Sequence, residues 1–119
     1  NSLKLFEVGN TFNYDADGKI AENRNIMLVM AGEADMSSVD VKSRNYDIYD
    51  MIGEAEGLFE KLRVVNIKKF DYYSHNSVLE SVVEYKTRNN TVARITGFSK
   101  KFLQSLNIER PVIVCEILY

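Results

Sequence analysis

Apolar residues recur through the first thirty positions on both sides of a short polar run, and this pattern predicts two long strands. The spacing predicts one strand over Leu3–Tyr14 and a second over Lys19–Met30. Between them lies the run Asp15-Ala16-Asp17-Gly18, which is typical of a hairpin turn because Gly supplies the positive φ that such a turn needs. The chain therefore opens with a predicted β-hairpin.

The first predicted strand carries apolar residues on both faces. Gly9 and Asn10 near its middle indicate a bulge or a bend. With that irregularity, one face carries Leu3, Leu5 and Phe12, and the other carries Phe6 and Val8. The second strand is apolar at every position from Ile26 to Met30, which predicts a central strand that is covered on both sides.

A helical period follows the hairpin and predicts a helix from Asn45 or Tyr46 to about Leu62. Its predicted apolar stripe comprises Tyr46, Tyr49, Ile52, Ala55, Phe59 and Leu62. Gly53 and Gly57 lie four residues apart, and each weakens the helix by roughly 1 kcal/mol relative to Ala. We expect these two glycines to allow the helix a close approach to the sheet.

The second half of the chain is rich in Val, Ile, Tyr and Phe and is predicted to be mostly strand. The predicted elements are β-structure over Val64–Tyr73, strands Ser77–Arg88 and Thr91–Phe98, a short helix Lys100–Leu106 and a final strand Val112–Leu118. The dipeptide Asn89-Asn90 predicts a hairpin turn, since Asn tolerates positive φ. The predicted pairing sets Val83 and Tyr85 near Ala93 and Ile95.

The predicted order is therefore ββαβββαβ, a single α+β domain over residues 1–119. Its antiparallel (mixed) β-sheet has about five to six strands and packs with one long and one short helix. A length of 119 residues suits one hydrophobic core, and 45% apolar with 27% charged residues excludes a disordered chain. No stretch approaches the ~20 apolar residues of a membrane span, so no membrane partner is predicted.

The net charge of −2 conceals a difference between the two halves of the chain. Residues 1–60 carry five Lys/Arg and twelve Asp/Glu, a net of −7, whereas residues 61–119 carry ten and five, a net of +5. In the basic half, cations and aromatic residues are interleaved. The candidate interaction residues are Lys68, Lys69, Tyr72, Tyr73, Lys86, Arg88, Arg94, Lys100 and Lys101.

This basic half has three interpretations. The charges are ordinary solvated side chains, or the positive side docks on an acidic protein or on another copy of the chain. Alternatively, a sheet face with basic and aromatic residues binds single-stranded nucleic acid. The acidic isoelectric point, about 5.4, argues against nucleic acid and places it third.

Residues capable of catalysis are few. His75 is the one histidine and lies in the same loop region as Asp71, so these two are the candidates for a general base or a ligand site. Cys115, the one cysteine, lies in a strand-like run where a small buried hydrophobe is expected. No glycine-rich phosphate loop and no nucleophile elbow occurs in the sequence. We therefore predict no cofactor.

The turn around Asp15 and Asp17 resembles in spacing the early positions of a calcium-binding loop. The twelfth position of such a loop requires a bidentate Glu, but Arg24 stands there. Asp15 and Asp17 are thus the candidate metal ligands, and a plain turn without a metal is the favoured interpretation.

These observations favour a non-catalytic protein-interaction or assembly module that self-associates or docks on another protein. The alternatives are a nucleic-acid-binding domain that uses the basic face of residues 61–101, and a small enzyme or ligand-binding domain around His75. The single cysteine fits a cytoplasmic location, or an intracellular one in a host. The composition suits a bacterial, phage or viral protein.

Overall fold

The computed structural model describes residues 2–34, 44–73, 78–88 and 90–118. The elements are β1 (Ser2–Tyr14), β2 (Ile20–Gly32), α1 (Ile48–Lys61), β3 (Ile67–Tyr73), β4 (Leu79–Thr87), β5 (Asn90–Phe98), α2 (Lys100–Ser105) and β6 (Val112–Leu118). All strands join one antiparallel sheet in the order β1-β2-β6-β5-β4-β3. The predicted α+β class and the order ββαβββαβ are confirmed.

Strand β6 lies in the middle of the sheet, between β2 and β5. It pairs with residues Asn25–Ala31 of β2 and with residues Ala93–Gly97 of β5. The first part of β2, residues 20–24, pairs with β1 alone. The outer half of the β1–β2 hairpin therefore extends past the sheet as a two-stranded ribbon.

Helix α1 packs on one face of the sheet, which we call the helix-side face; the opposite face is the second face. The buried residues of α1 are Met51, Ala55 and Phe59. The buried side chains that meet them from the strands are Met30, Val83, Tyr85, Ala93, Ile95, Ile113, Cys115 and Ile117. Strand registers place all of these on the helix-side face, so the hydrophobic core of the described residues lies on one side of the sheet.

The start and the buried stripe of α1 differ from the prediction. Asp47 is the N-cap, and its carboxylate accepts hydrogen bonds from the backbone N–H groups of Tyr49 and Asp50. Ala55 and Phe59 are buried as predicted, but Met51 completes the stripe and Tyr49 is exposed. Met51, Ala55 and Phe59 recur every four residues, and Tyr49 lies about 200° around the helix from Met51.

The prediction that the two helix glycines allow a close approach to the sheet is wrong. A Cβ atom placed on Gly53 or Gly57 meets no atom within 4 Å. In contrast, the predicted contacts of the β4–β5 hairpin are confirmed: Val83 pairs with Ile95, and Tyr85 pairs with Ala93.

The second face carries apolar residues that remain partly exposed. The strand registers place one residue from each strand in a row across this face, and five of the six are apolar or aromatic. The row is Leu5, Val29, Val114, Thr96, Val82 and Tyr72. None of these side chains is buried. The expectation that β2 is covered on both sides is therefore wrong, although its central position in the sheet is confirmed.

Candidate functional site

Strand β1 is exposed along its whole length. Each of its 13 residues pairs with β2 in a register that shows no shift, so the expected bulge at Gly9 is absent. Residues of equal parity share one face of a regular strand. Phe12 therefore lies with Phe6 and Val8 on the helix-side face, and not with Leu3 and Leu5 as predicted.

The hairpin carries exposed apolar side chains on the helix-side face. They are Phe6, Val8, Phe12, Tyr14 and Ile20, which we call the hairpin face. The polar residues Asn10, Glu22 and Arg24 lie on the same side of the ribbon. Phe12 is 66% exposed, Tyr14 78% and Ile20 70%, although all three are large apolar or aromatic residues. An exposed group of large apolar side chains is a candidate interaction surface.

The opposite side of the same ribbon is polar. The Asn23 amide donates to Asn13 Oδ1 at 3.0 Å, and the Asn25 amide donates to Thr11 Oγ1 at 3.3 Å. The Asn25 amide also donates to Glu116 Oε1 at 3.3 Å. The two sides of the ribbon thus differ: one is polar and held by amide contacts, and the other carries Phe12, Tyr14 and Ile20, which the Asn10–Arg24 pair separates from Val8 and the core.

The hairpin turn is held by Asp15. One of its carboxylate oxygens, Oδ1, accepts hydrogen bonds from the backbone N–H groups of Asp17 and Lys19, both at 2.9 Å. Gly18 adopts a φ of 77°, and its N–H donates to the Asp15 carbonyl at 3.0 Å, so the predicted turn chemistry is confirmed. Within the described ranges, no three His, Cys, Asp or Glu side chains come together as a metal site, and Asp17 joins no such group.

The predicted interaction residues divide between the two faces of the sheet. By register, Lys68, Tyr72, Lys86 and Arg94 lie on the second face, and Lys69 lies on the helix-side face. Arg88 follows β4 with a φ of 55°, and Lys100 and Lys101 open α2. Tyr73 ends β3. The structure therefore brings only part of the set together.

Acidic side chains partly neutralise this basic set. Glu84 lies 3.7 Å from the Lys86 ammonium and 3.4 Å from the Arg94 guanidinium. Lys69 reaches Glu56 of α1 at 4.0 Å. The charge difference between the halves of the sequence is consequently smaller on the folded surface, because acidic groups of both halves lie beside the cations.

Glu56 also holds a buried hydroxyl beneath α1. The Tyr85 hydroxyl donates to Glu56 Oε1 at 3.2 Å, and the Tyr85 ring meets the Phe59 ring edge-on, with centroids 5.0 Å apart. Burial, followed by the neighbouring Glu56 carboxylate, raises the pKa of Tyr85 above its ordinary value. This hydroxyl therefore stays protonated and anchors the helix to the sheet.

A cleft of about 380 Å³ lies between the first half of α1 and the sheet. Asp71 and Lys69 of β3 line it together with Tyr46 and Tyr49. His75, the other catalytic candidate, lies outside the described residues. Among the residues that are described, Asp71 has no histidine or cysteine beside it that would form a catalytic pair.

The sequence interpretation missed the hairpin face. A strand of 13 residues is about twice the usual length, which is a signal in itself. The alternation of Phe6, Val8, Phe12 and Tyr14 with polar neighbours was visible, but the bulge assigned to Gly9 placed Phe12 on the wrong side.

No helix in the described part of the chain is long and apolar enough to cross a membrane. A search of curated proteins returned no match. The family model of the phenylalanyl tRNA synthetase beta chain CLM domain matches residues 1–119, the whole chain. The chain therefore belongs to the family of phenylalanyl tRNA synthetase beta chain CLM domains.

Proposed function

We propose that this chain is a non-catalytic assembly domain that docks another protein chain of a phenylalanyl-tRNA synthetase through the hairpin face. The observation that carries the proposal is the exposed hairpin face, which has no cover among the described residues. The family description supports it, because a beta chain is one component of an enzyme with several chains.

The composition of the ribbon favours a protein partner. Phe6 and Val8 pair with partly buried Leu28 and Ile26, so a chain that covers them would extend the existing core. Phe12, Tyr14 and Ile20 lie farther out, beyond the Asn10–Arg24 pair. Aromatic side chains such as Phe12 and Tyr14 are enriched at the centres of protein interfaces. A role in such an enzyme supports a location in the cytoplasm, or within a host cell, where tRNA is charged. A bacterial, phage or viral source stays a prediction.

Matched charge substitutions on the two sides of the ribbon test this proposal. The chain is co-expressed with the companion synthetase chain, and affinity and native mass are measured by analytical ultracentrifugation. Phe12→Glu removes a large apolar contact and is expected to weaken assembly about tenfold or more. Asn23→Glu adds the same charge to the polar side and is expected to leave assembly unchanged.

The two variants also separate docking from folding. Both sites are exposed, so circular dichroism is expected to show native secondary structure in each variant. Assembly of folded Phe12→Glu with wild-type affinity would exclude the hairpin face as the docking surface.

We propose a second candidate, nucleic-acid binding, because aromatic and basic side chains do meet on the second face. Lys68, Phe70 and Tyr72 share this face of β3, and Lys86 lies beside them with its ammonium 5.4 Å from the centre of the Phe70 ring. Phe70 is 40% exposed and Tyr72 is 44% exposed. Rings on a sheet face can stack on unpaired bases.

A pair of tyrosine substitutions tests the second candidate. Binding of a single-stranded RNA oligonucleotide is followed by fluorescence anisotropy at several salt concentrations. Tyr72→Ala is expected to weaken binding roughly tenfold, whereas Tyr14→Ala, the same change on the hairpin face, is expected to have no effect. Absence of binding at low salt would exclude this candidate.

The alternative of a small enzyme or ligand site around His75 stays a prediction. Its histidine lies outside the described residues, and Asp71 alone assigns no reaction.

A further inference from the structure

We infer that two copies of this chain pair antiparallel along the outer edges of their β1 strands and form a closed dimer with one continuous sheet. The inference goes beyond the proposed docking function, because it uses the backbone edge of β1 and leaves room for a companion chain on the helix-side face. A second copy is the occupant to which the observations below point.

The two edges of the sheet differ in their protection. Natural edge strands carry charges, prolines or bulges that block pairing with other molecules. Strand β3, one edge, has Lys68, Lys69 and Asp71 within seven residues. Strand β1, the other edge, has only Lys4 and Glu7 among 13 residues, and it has no proline and no register shift.

The first of the two β1 charges is also drawn away from the edge. The Lys4 ammonium forms an ion pair with Glu54 of α1, over the helix-side face. The edge of β1 thus presents a regular row of backbone groups with little charge to repel a second strand.

A two-fold register centred on Gly9 is compatible with every facing pair of side chains. In this register the facing pairs across the two copies are Phe6 with Phe12, Val8 with Asn10, Lys4 with Tyr14, Leu5 with Asn13 and Glu7 with Thr11. Aromatic rings meet on the helix-side face, and no two like charges are opposed.

The same register supports the exposed ribbon. A hairpin of two strands is marginal in water, and a third strand gives it independent stability. In the dimer, Asn10–Tyr14 of one copy lies beside Lys4–Val8 of the other copy. In that other copy, Lys4–Val8 pairs with the part of β2 that also pairs with β6. Both β1 edges are used in a closed pair, and the remaining β3 edges are charged, so growth into fibres is blocked.

The native mass of the chain alone gives the first test. Sedimentation over a concentration series is expected to show a species of twice the 13.7-kDa chain mass at high concentration. Backbone N–H groups of β1 point alternately towards β2 and towards the free edge. In the dimer, the N–H groups that point towards the free edge are expected to gain protection from hydrogen exchange. A monomer at every concentration, or a dimer without this alternating protection, would overturn the inference.

Charge reversal tests the register itself. Thr11→Glu opposes Glu7 of the second copy at two symmetric positions and is expected to raise the dimer dissociation constant about fivefold or more. Adding Glu7→Lys to this variant makes each facing pair attractive and is expected to restore the dimer. Asn23→Glu, on the same face of β2 but away from the edge, is the matched control.

Rescue distinguishes a lost contact from a damaged fold, since a misfolded variant would not recover on a second substitution. Failure of the double variant to dimerise, or a dimer insensitive to Thr11→Glu, would overturn the register. Docking of the companion chain is read separately through Phe12→Glu at a concentration where the chain is monomeric, so either proposal can fail while the other stands.

Discussion

Truncating one isoleucine in the core and one on the hairpin tests whether the hairpin face belongs to the chain's own core. Ile95 is 0% exposed on β5, whereas Ile20 is 70% exposed at the start of β2. Ile95→Ala opens a cavity under α1 and is expected to cost about 2–5 kcal/mol of unfolding free energy. Full burial of an Ile side chain is worth about 1.5–3 kcal/mol, and less than a third of Ile20 is covered, so Ile20→Ala is expected to cost at most about 1 kcal/mol.

Urea unfolding followed by circular dichroism measures this difference. With an m-value of about 2 kcal/mol/M, Ile95→Ala lowers the midpoint by about 1–2.5 M and Ile20→Ala by no more than about 0.5 M. The titration is run at low protein concentration, where any dimer has dissociated. Equal losses for both variants at low concentration would show that the hairpin face is part of the monomer's core and would refute the reasoning.

Three further changes follow from individual contacts. Gly53→Ala is expected to stabilise the protein by about 0.5–1 kcal/mol, because the added methyl group meets no atom and Ala has the higher helix propensity. Gly18→Ala is expected to destabilise it, because Gly18 has a φ of 77°. Thermal unfolding measures both changes in stability, and changes of the same sign would contradict this. Hydrogen bonds from Arg44 are the main cause that lowers the pKa of Asp50 to about 2. The stabilising effect of Asp50 is therefore present above pH 4 and lost as the pH falls from about 4 towards 2. The unfolding free energy of Asp50→Asn is expected to lack this loss between pH 4 and 2, and identical acid titrations of the variant and the wild type would contradict it. Burial raises the pKa of the Cys115 thiol to about 12, so alkylation of the native protein at pH 8 is expected to be roughly a thousandfold slower than that of the urea-unfolded chain; comparable rates would contradict the burial.

Local features of this fold were predictable because local chemistry determines them. The run Asp15-Ala16-Asp17-Gly18 specifies its turn through one carboxylate and one glycine, both within five residues. Likewise, Val83 pairs with Ile95 because a tight connection leaves few registers open. In α1, however, Tyr49 and Met51 fit apolar stripes of different orientation, and only the packing against β5 and β6 selects between them.

The candidate site was harder to predict because alternation shows which residues share a face, but not what covers that face. Phe6 and Phe12 have the same periodicity whether a helix of this chain or another molecule covers them. Phe12 lies on the part of the hairpin that extends beyond β6, because β6 pairs with β2 only as far as Asn25. The charge pattern of the sequence likewise does not show which cations are neutralised, since Glu84 comes close to Arg94 only when their strands pair.

The position of β6 has a consequence for synthesis on the ribosome. The β1–β2 hairpin and the β3-β4-β5 meander each form from neighbouring segments, but they share no strand pairing with each other. Strand β6 joins them, and it is the last of the six to leave the exit tunnel. Until β6 emerges, the edges of β2 and β5 that pair with it have no partner strand. We therefore expect nascent chains halted before Val112 to depend on chaperones.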